Sequence, residues 1–87
     1  MKLPAQNRLM IDQAFTIHLR RIEPARNMHR FYRLSISVDL FGHPVVLRQW
    51  GRIGTRGQEK AEFVADLNGA YLRLSQIERS KRIRGYS

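Results

Sequence analysis

The strongest constraint on the fold of this sequence is the period of its apolar residues, which changes once along the chain. In residues 32–40, apolar side chains alternate with polar ones, which is typical of a half-buried antiparallel strand with one solvated face. After Asp66 the apolar residues recur three and four positions apart, which indicates one face of a helix ending near Gly85. Strand-like alternation covers the segments from Phe15 to about Pro24, 32–40, 45–53 and about 58–64.

These segments predict an α+β domain, in which an antiparallel β-sheet of about four strands carries one C-terminal helix packed across one face. The run Gly54-Thr55-Arg56-Gly57 has glycine at both ends and predicts a tight hairpin turn. The helix is expected over residues 66–84, with Asp66 as its N-cap. Residues 14–87 are expected to form one domain behind a loosely ordered N-terminal arm, residues 1–13. The strand residues expected beneath the helix are Phe15, Ile17, Leu34, Ile36, Val38, Leu47 and Phe63.

The charge of the chain narrows the choice of partner. Its 16 Lys and Arg outnumber seven Asp and Glu, for a formal net charge of +9 and a pI of about 11.3. An excess of this size attracts polyanions. Nearly all of these cations are arginines, whose planar forks bind phosphate through two hydrogen bonds and stack on bases, so the composition favours nucleic acid. The same charge also fits a highly soluble basic protein with no specific polyanion.

Other classes of function lack the residues that they need. The absence of cysteine excludes disulfides, cysteine zinc sites and thiol catalysis. The three histidines have no metal-ligand spacing, and the carboxylates form no obvious pair for acid–base catalysis. We therefore expect no enzyme activity, no catalytic residue, no cofactor and no metal. No apolar run approaches a membrane span and no signal peptide is apparent, so we expect a soluble, cytoplasmic monomer without membrane contact.

The third predicted strand carries an aromatic residue between two cations. Side chains two apart on a strand share a face, so Arg48, Trp50 and Arg52 are expected in a row on the face away from Val45 and Leu47. Such a row suits a stacking platform, with an aromatic plane for a base or sugar and cations beside it for phosphates. Gly51 between them would allow another backbone or a ligand to approach closely. The alternative is that Trp50 packs against its own protein.

The segment from Trp50 to Thr55, Trp-Gly-Arg-Ile-Gly-Thr, resembles the signature of the WGR domain family, and the order of other motifs along the chain fits that family. The resemblance covers roughly residues 14–86. The further matching motifs are Gly57, Asn27, Arg30-Phe31-Tyr32, Asp39-Leu40-Phe41-Gly42 as in short bacterial members, Phe63, a helix centred on Ala70, and Arg84-Gly85-Tyr86.

The resemblance implies an antiparallel sheet with a helix on one side and a role at DNA breaks. In DNA-damage-dependent poly(ADP-ribose) polymerases, the tryptophan of this domain packs on a terminal sugar, and polar groups near the strand ends hold the 5′ phosphate. By position, this implies sugar stacking by Trp50, phosphate contact or signal relay by Arg52, and a backbone contact by Asn27, with Tyr86 as a further candidate. This chain has no room for the ADP-ribosyltransferase domain, so the catalytic function of those enzymes is not implied.

The residues and the resemblance together predict a stand-alone nucleic-acid-binding module, with DNA as the expected ligand and a preference for ends, nicks or gaps. The alternative is a protein-interaction adaptor that docks the Trp50 face on a partner protein. Salt dependence distinguishes the two, since phosphate contacts weaken steeply with salt. The predicted nucleic-acid-binding residues are Trp50, Gly51, Arg52, Arg48, Asn27 and Tyr86.

Overall fold

Residues 16–87 are described by a computed structural model, and they form one antiparallel sheet followed by one helix. The four strands lie side by side in the order of the sequence. This confirms the predicted α+β class, whereas the proposed arm over residues 1–13 lies outside the described residues. The elements are β1 (Ile17–Glu23), β2 (Met28–Val38), β3 (Pro44–Arg52), β4 (Gln58–Phe63) and α1 (Leu67–Ile83).

Strand β2 begins four residues before the position where the alternation starts, because the connection that precedes it is short. A single 3₁₀ turn, Pro24–Arg26, ends at Asn27, and β2 then pairs with β1 from Met28 onward. Asn27 adopts a left-handed backbone with φ of 54°, a conformation that asparagine tolerates better than most residues. The sequence does not reveal the first four residues of this strand, since apolar and polar residues do not alternate over residues 28–31.

The core lies between α1 and one face of the sheet. Strand β2 contributes Tyr32, Leu34 and Ile36, which pair across the sheet with Trp50, Arg48 and Val46 respectively. Directly opposed residues share a face, so all six side chains lie on the side of the helix. Each fully buried aliphatic side chain contributes about 1.5–3 kcal/mol. The buried residues of the core cluster are Leu19, Tyr32, Leu34, Ile36, Val46, Ala70, Leu74 and Ile77.

The expectation that Leu47 and Phe63 lie beneath the helix is wrong. Leu47 alternates with the fully buried Val46 and therefore lies on the opposite face, and Phe63 is 69% exposed. The alternation in β3 separates two faces correctly, but both faces begin with apolar residues, Val45 and Leu47 on one and Val46 on the other. Pairing with β2 decides which face the helix covers. As a result, the row that contains Trp50 lies on the helix side of the sheet.

Both ends of α1 have specific caps. The side chain of Asp66 accepts a hydrogen bond from the backbone N–H of Gly69 at 2.7 Å, which confirms the predicted N-cap. At the other end Gly85 has φ of 100°, and the N–H groups of Gly85 and Tyr86 donate to the carbonyls of Arg82 and Lys81. This is the Schellman pattern, in which the left-handed residue is usually glycine.

The cap at Gly85 fixes the position of the last residues. The backbone of Ser87 exchanges two hydrogen bonds with Arg20 of β1, at 2.8 and 2.9 Å. Tyr86 is thereby held over the core cluster, against which it packs. Among residues 16–87, no helix has the length and apolar character required to span a membrane.

Candidate nucleic-acid interface

Trp50 belongs to a cluster of three aromatic rings. It lies opposite Tyr32 in the β2–β3 register, and the two rings are stacked with their centroids 5.8 Å apart at an interplanar angle of 15°. Tyr86 meets the ring of Tyr32 edge-on, with a centroid distance of 6.0 Å. Trp50 is partly buried and packs against the core, so it is both a structural and a surface residue.

Arg52 and Asn27 are brought together although 25 positions separate them in the sequence. The guanidinium of Arg52 donates to the backbone carbonyl of Asn27 at 3.3 Å and to its side-chain Oδ1 at 3.2 Å. In its left-handed conformation, Asn27 has both its backbone carbonyl and its side-chain oxygen facing the guanidinium of Arg52. With Oδ1 accepting from Arg52, the amide N–H₂ group of Asn27 remains as a donor for a ligand.

Two rings of the aromatic cluster, Trp50 and Tyr86, and the Arg52–Asn27 pair border one concave surface of about 290 Å³, which we call the Trp50 pocket. Five of the six predicted contact residues line it, whereas Arg48 does not. Arg30, which lies opposite Arg52 in the sheet register, adds a second cation. Among residues 16–87, no carboxylate lies within 4.0 Å of either guanidinium. The lining residues are Asn27, Arg30, Trp50, Gly51, Arg52 and Tyr86.

Gly51 permits a close approach by the protein's own backbone. A Cβ atom at Gly51 would lie 2.7 Å from the Cα of Gly57, and one at Gly57 would lie 2.1 Å from the carbonyl oxygen of Trp50. The ring of Phe31 lies against the same two glycines, 3.5 and 3.1 Å from those positions. Because Gly51 and Gly57 have no side chains, the connection over residues 53–57 can pack closely against β3.

Arg48 lies outside the Trp50 pocket, in a network of hydrogen bonds within the protein. Its guanidinium donates to the hydroxyl of Tyr32 at 2.7 Å and to the carboxylate of Glu62 at 2.6 Å, and its Cζ lies 6.0 Å from the centre of the Trp50 ring. Arg73 of α1 donates to the other oxygen of Glu62 at 2.7 Å. The network joins β3, β4 and α1 and supports the aromatic cluster from the side. The role of Arg48 as a direct nucleic-acid contact stays a prediction.

Glu62 is the only carboxylate in this network. Hydrogen bonds from Arg73 and Arg48 lower the pKa of Glu62 to about 2, against the opposing effect of burial. Because this pKa is lower in the folded protein, the network adds stability at pH values above the ordinary pKa of 4.5. That contribution is lost as the pH falls through about 2. The ion pairs of Arg48 are therefore intact at neutral pH.

Sequence reasoning did not identify Arg30 and Tyr32 as members of the site. Both lie on the helix side of β2, in the same row as Arg52 and Trp50 of the next strand. The sequence does indicate which face of the strand they occupy, since both are an even number of residues from the buried Leu34. Only the register of the β2–β3 hairpin places Arg30 in the lining of the Trp50 pocket and the ring of Tyr32 against Trp50.

Asp39 lies outside these clusters and has a local role. It accepts hydrogen bonds from the backbone N–H groups of His43 and Phe41, which lower the pKa of its carboxyl group and fix the β2–β3 turn. Within the described residues, no three His, Cys, Asp or Glu side chains lie close enough together to hold a metal ion.

Comparison with known proteins identifies a family that covers this site. The family model for the WGR domain matches residues 15–87. The chain is also 42% identical over 78 residues to an uncharacterized protein, y4dW, of Sinorhizobium fredii. That alignment covers 90% of this chain and 38% of the relative, so the chain spans well under half of the relative's length. No solved structure matches the chain.

Proposed function

Because the chain belongs to the WGR domain family, generally a nucleic-acid-binding module in proteins related to poly(ADP-ribose) polymerases, we propose that it binds DNA, with a preference for ends, nicks or gaps. The observation that carries the proposal is the Trp50 pocket, where an aromatic ring, two guanidinium groups and an amide converge. A DNA terminus offers the complementary groups, namely a sugar face and a terminal phosphate.

The residues of the pocket divide these contacts by their chemistry. Trp50 provides the plane on which the terminal sugar or base stacks, and its ring is held in place by Tyr32. Arg52 and Arg30 neutralise the phosphate charge and can offer it charge-assisted hydrogen bonds. The amide of Asn27 donates one further hydrogen bond and sets the position of the phosphate. Each of these groups binds, and no chemical step is assigned to this site.

The adaptor hypothesis is less well supported by the same geometry. The Trp50 ring already stacks on Tyr32, and two of the other five residues that border the pocket are arginines. A protein partner would need complementary carboxylates and an apolar surface. Binding through such a surface would also weaken less with salt than binding through phosphates.

A nearly isosteric charge change at Asn27 tests the proposal. Asn27→Asp keeps the oxygen that accepts from Arg52 but replaces the amide donor with a negative charge beside the bound phosphate. We expect the wild-type protein to bind a duplex with 5′-phosphorylated ends more tightly than the same duplex with 5′-hydroxyl ends. We expect the variant to lose most of that preference. Fluorescence titrations of both duplexes at fixed salt measure the effect.

Asn68→Asp is the matched control, because it makes the same change in net charge on the exposed first turn of α1. It should lower both affinities slightly and keep the preference for the phosphorylated end. Equal binding of both duplexes by the wild-type protein would contradict recognition of the terminal 5′ phosphate. An equal effect of the two substitutions would show that net charge, and not the pocket, governs binding.

A further inference from the structure

A second concave surface, of about 220 Å³, lies between α1 and strand β3. Four cationic side chains line it, one from β3, two from α1 and one from the C-cap of α1, and we call it the basic pocket. Its position is next to the aromatic cluster, since one of the four, Lys81, places its Nζ 4.6 Å from the centre of the Tyr32 ring. The four cationic residues are Arg48, Arg73, Lys81 and Arg84.

The charges in the basic pocket are not balanced by the protein. Glu62 is the carboxylate partner of Arg48 and Arg73, at 2.6 and 2.7 Å. In the part of the chain that the structure describes, neither Lys81 nor Arg84 has a carboxylate within 4.0 Å. Four cations therefore face a single carboxylate at the same surface.

Lys81 shows the electrostatic consequence of this arrangement. Burial lowers the pKa of the Lys81 ammonium group, and the neighbouring guanidinium groups of Arg84 and Arg48 lower it further. An anion bound at this surface would relieve the repulsion between these like charges. Neutral donors that suit an anion also line the pocket, because Ser80 contributes a hydroxyl and Gln76 an amide.

We infer that the basic pocket is a second phosphate-binding subsite, separate from the Trp50 pocket. Arg84 and Lys81 supply the unpaired positive charge, and Arg48 is already oriented by Tyr32 and Glu62. Free phosphate and the backbone of a nucleic acid share the chemistry that this subsite recognises. The assignment of a nucleic-acid backbone as the source of the phosphate rests on the function proposed above. In that complex the DNA strand continues from the Trp50 pocket along the side of α1 that faces β3 and β4.

The subsite is tested first with inorganic phosphate alone. The probe is added to ¹⁵N-labelled protein at constant ionic strength, and amide and side-chain resonances are followed by NMR. We expect saturable shifts at Lys81, Arg84 and Gln76. Arg84→Gln should weaken this binding by about ten-fold, because it removes a charge-assisted contact. Arg79→Gln is the matched control, since Arg79 is exposed on the same helix but borders a different surface, with Ser75 and Arg82.

A second measurement identifies the source of the phosphate. The slope of log affinity against log salt for a DNA duplex should flatten by about 0.9 in Arg84→Gln if the subsite holds one backbone phosphate. It should not change in Arg79→Gln. A flattened slope supports the backbone as the ligand, whereas an unchanged slope with intact phosphate binding assigns the subsite to free phosphate.

The two proposals fail in different ways. If the wild-type protein binds DNA with an end preference but phosphate perturbs no resonance in the basic pocket, the second subsite is wrong and the proposed function stands. If phosphate binds in an Arg84-dependent manner but DNA does not bind, the subsite stands and the proposed function is wrong. Equal losses of phosphate affinity in Arg84→Gln and Arg79→Gln would also overturn the subsite, because the change in net charge would then explain both losses.

Discussion

Trp50 packs within the protein, and we propose that the same ring also binds DNA. Its ring stacks on Tyr32 and packs against the core, and the same ring forms part of the wall of the pocket proposed to receive a DNA terminus. Stacking of a base on an aromatic side chain contributes about 1–3 kcal/mol, so the ring is valuable to the complex. Stacked aromatic pairs within a protein contribute about 0.5–1.5 kcal/mol beyond their burial, so it is also valuable to the fold.

Trp50→Ala is therefore expected to affect both stability and binding. We expect the free energy of unfolding to fall by about 1–3 kcal/mol, since a partly buried ring is removed. We expect DNA binding to weaken by about 1–3 kcal/mol with an unchanged salt slope, since no charge is lost. Urea unfolding measures the loss of stability. A DNA titration of the folded variant, below its melting temperature, measures the loss of affinity.

Phe63→Ala provides the comparison for Trp50→Ala, because Phe63 is an aromatic residue of the same sheet that is 69% exposed on the opposite face. Its removal should alter neither stability nor DNA affinity by more than about 0.5 kcal/mol. If Trp50→Ala bound DNA as tightly as the wild-type protein, stacking would play no part in recognition.

Helix α1 connects the core to both pockets. Its buried side holds the sheet through Ala70, Leu74 and Ile77. Its C-terminal cap at Gly85 directs Tyr86 into the Trp50 pocket. The packing of this one element therefore positions the site as well as stabilising the domain.

Leu74→Asp is expected to unfold the domain, because it places an unpaired carboxylate in the helix–sheet contact, where Leu74 is only 7% exposed. The loss should exceed about 3 kcal/mol, which is large for a domain of this size. Leu72→Asp introduces the same residue on the same helix where the side chain is 66% exposed, and it should be tolerated. Circular dichroism melts measure both variants. A folded Leu74→Asp protein would contradict the orientation of α1.

The positive charge of the whole molecule acts over a longer range than either pocket. A net charge of +9 attracts a polyanion before any specific contact forms. The cationic residues are spread over the strands and α1, so a domain of this size can present only part of them to one duplex. The number of phosphates that the protein neutralises in a complex should therefore be smaller than the net charge suggests.

Duplex DNA should accordingly bind with a moderate salt dependence. We expect a slope of log affinity against log salt of roughly −2 to −4, which corresponds to a few neutralised phosphates. Titrations of an unmodified duplex between low and physiological salt give this slope. A flat plot would contradict DNA binding and favour a protein partner, whereas a slope near −9 would indicate that charge alone drives association.

Local patterns in the sequence are enough to predict the class of the fold and five of the residues that border the Trp50 pocket. Period-two alternation appears wherever one side of a strand is buried, so β2 and β3 were recognised from local pattern alone. The Asp66 cap and the glycine near the end of α1 are also local signals. Trp50, Gly51 and Arg52 are neighbours on a single strand, so the motif alone places them at one pocket. Asn27 and Tyr86 reach the same pocket through the contact with Arg52 and the cap of α1.

Long-range strand pairing sets which face of the sheet packs against the helix, and it therefore sets the surroundings of individual residues. Strand β3 has apolar residues on both sides at its start, so no local pattern distinguishes the face of Val46 from that of Leu47. The register with β2 makes that choice, because it sets Val46 opposite the buried Ile36. Long-range pairing also brings Arg48 to Glu62 and Arg30 to Arg52. Contacts between residues so far apart in sequence depend on packing of the whole domain, which local periodicity does not encode.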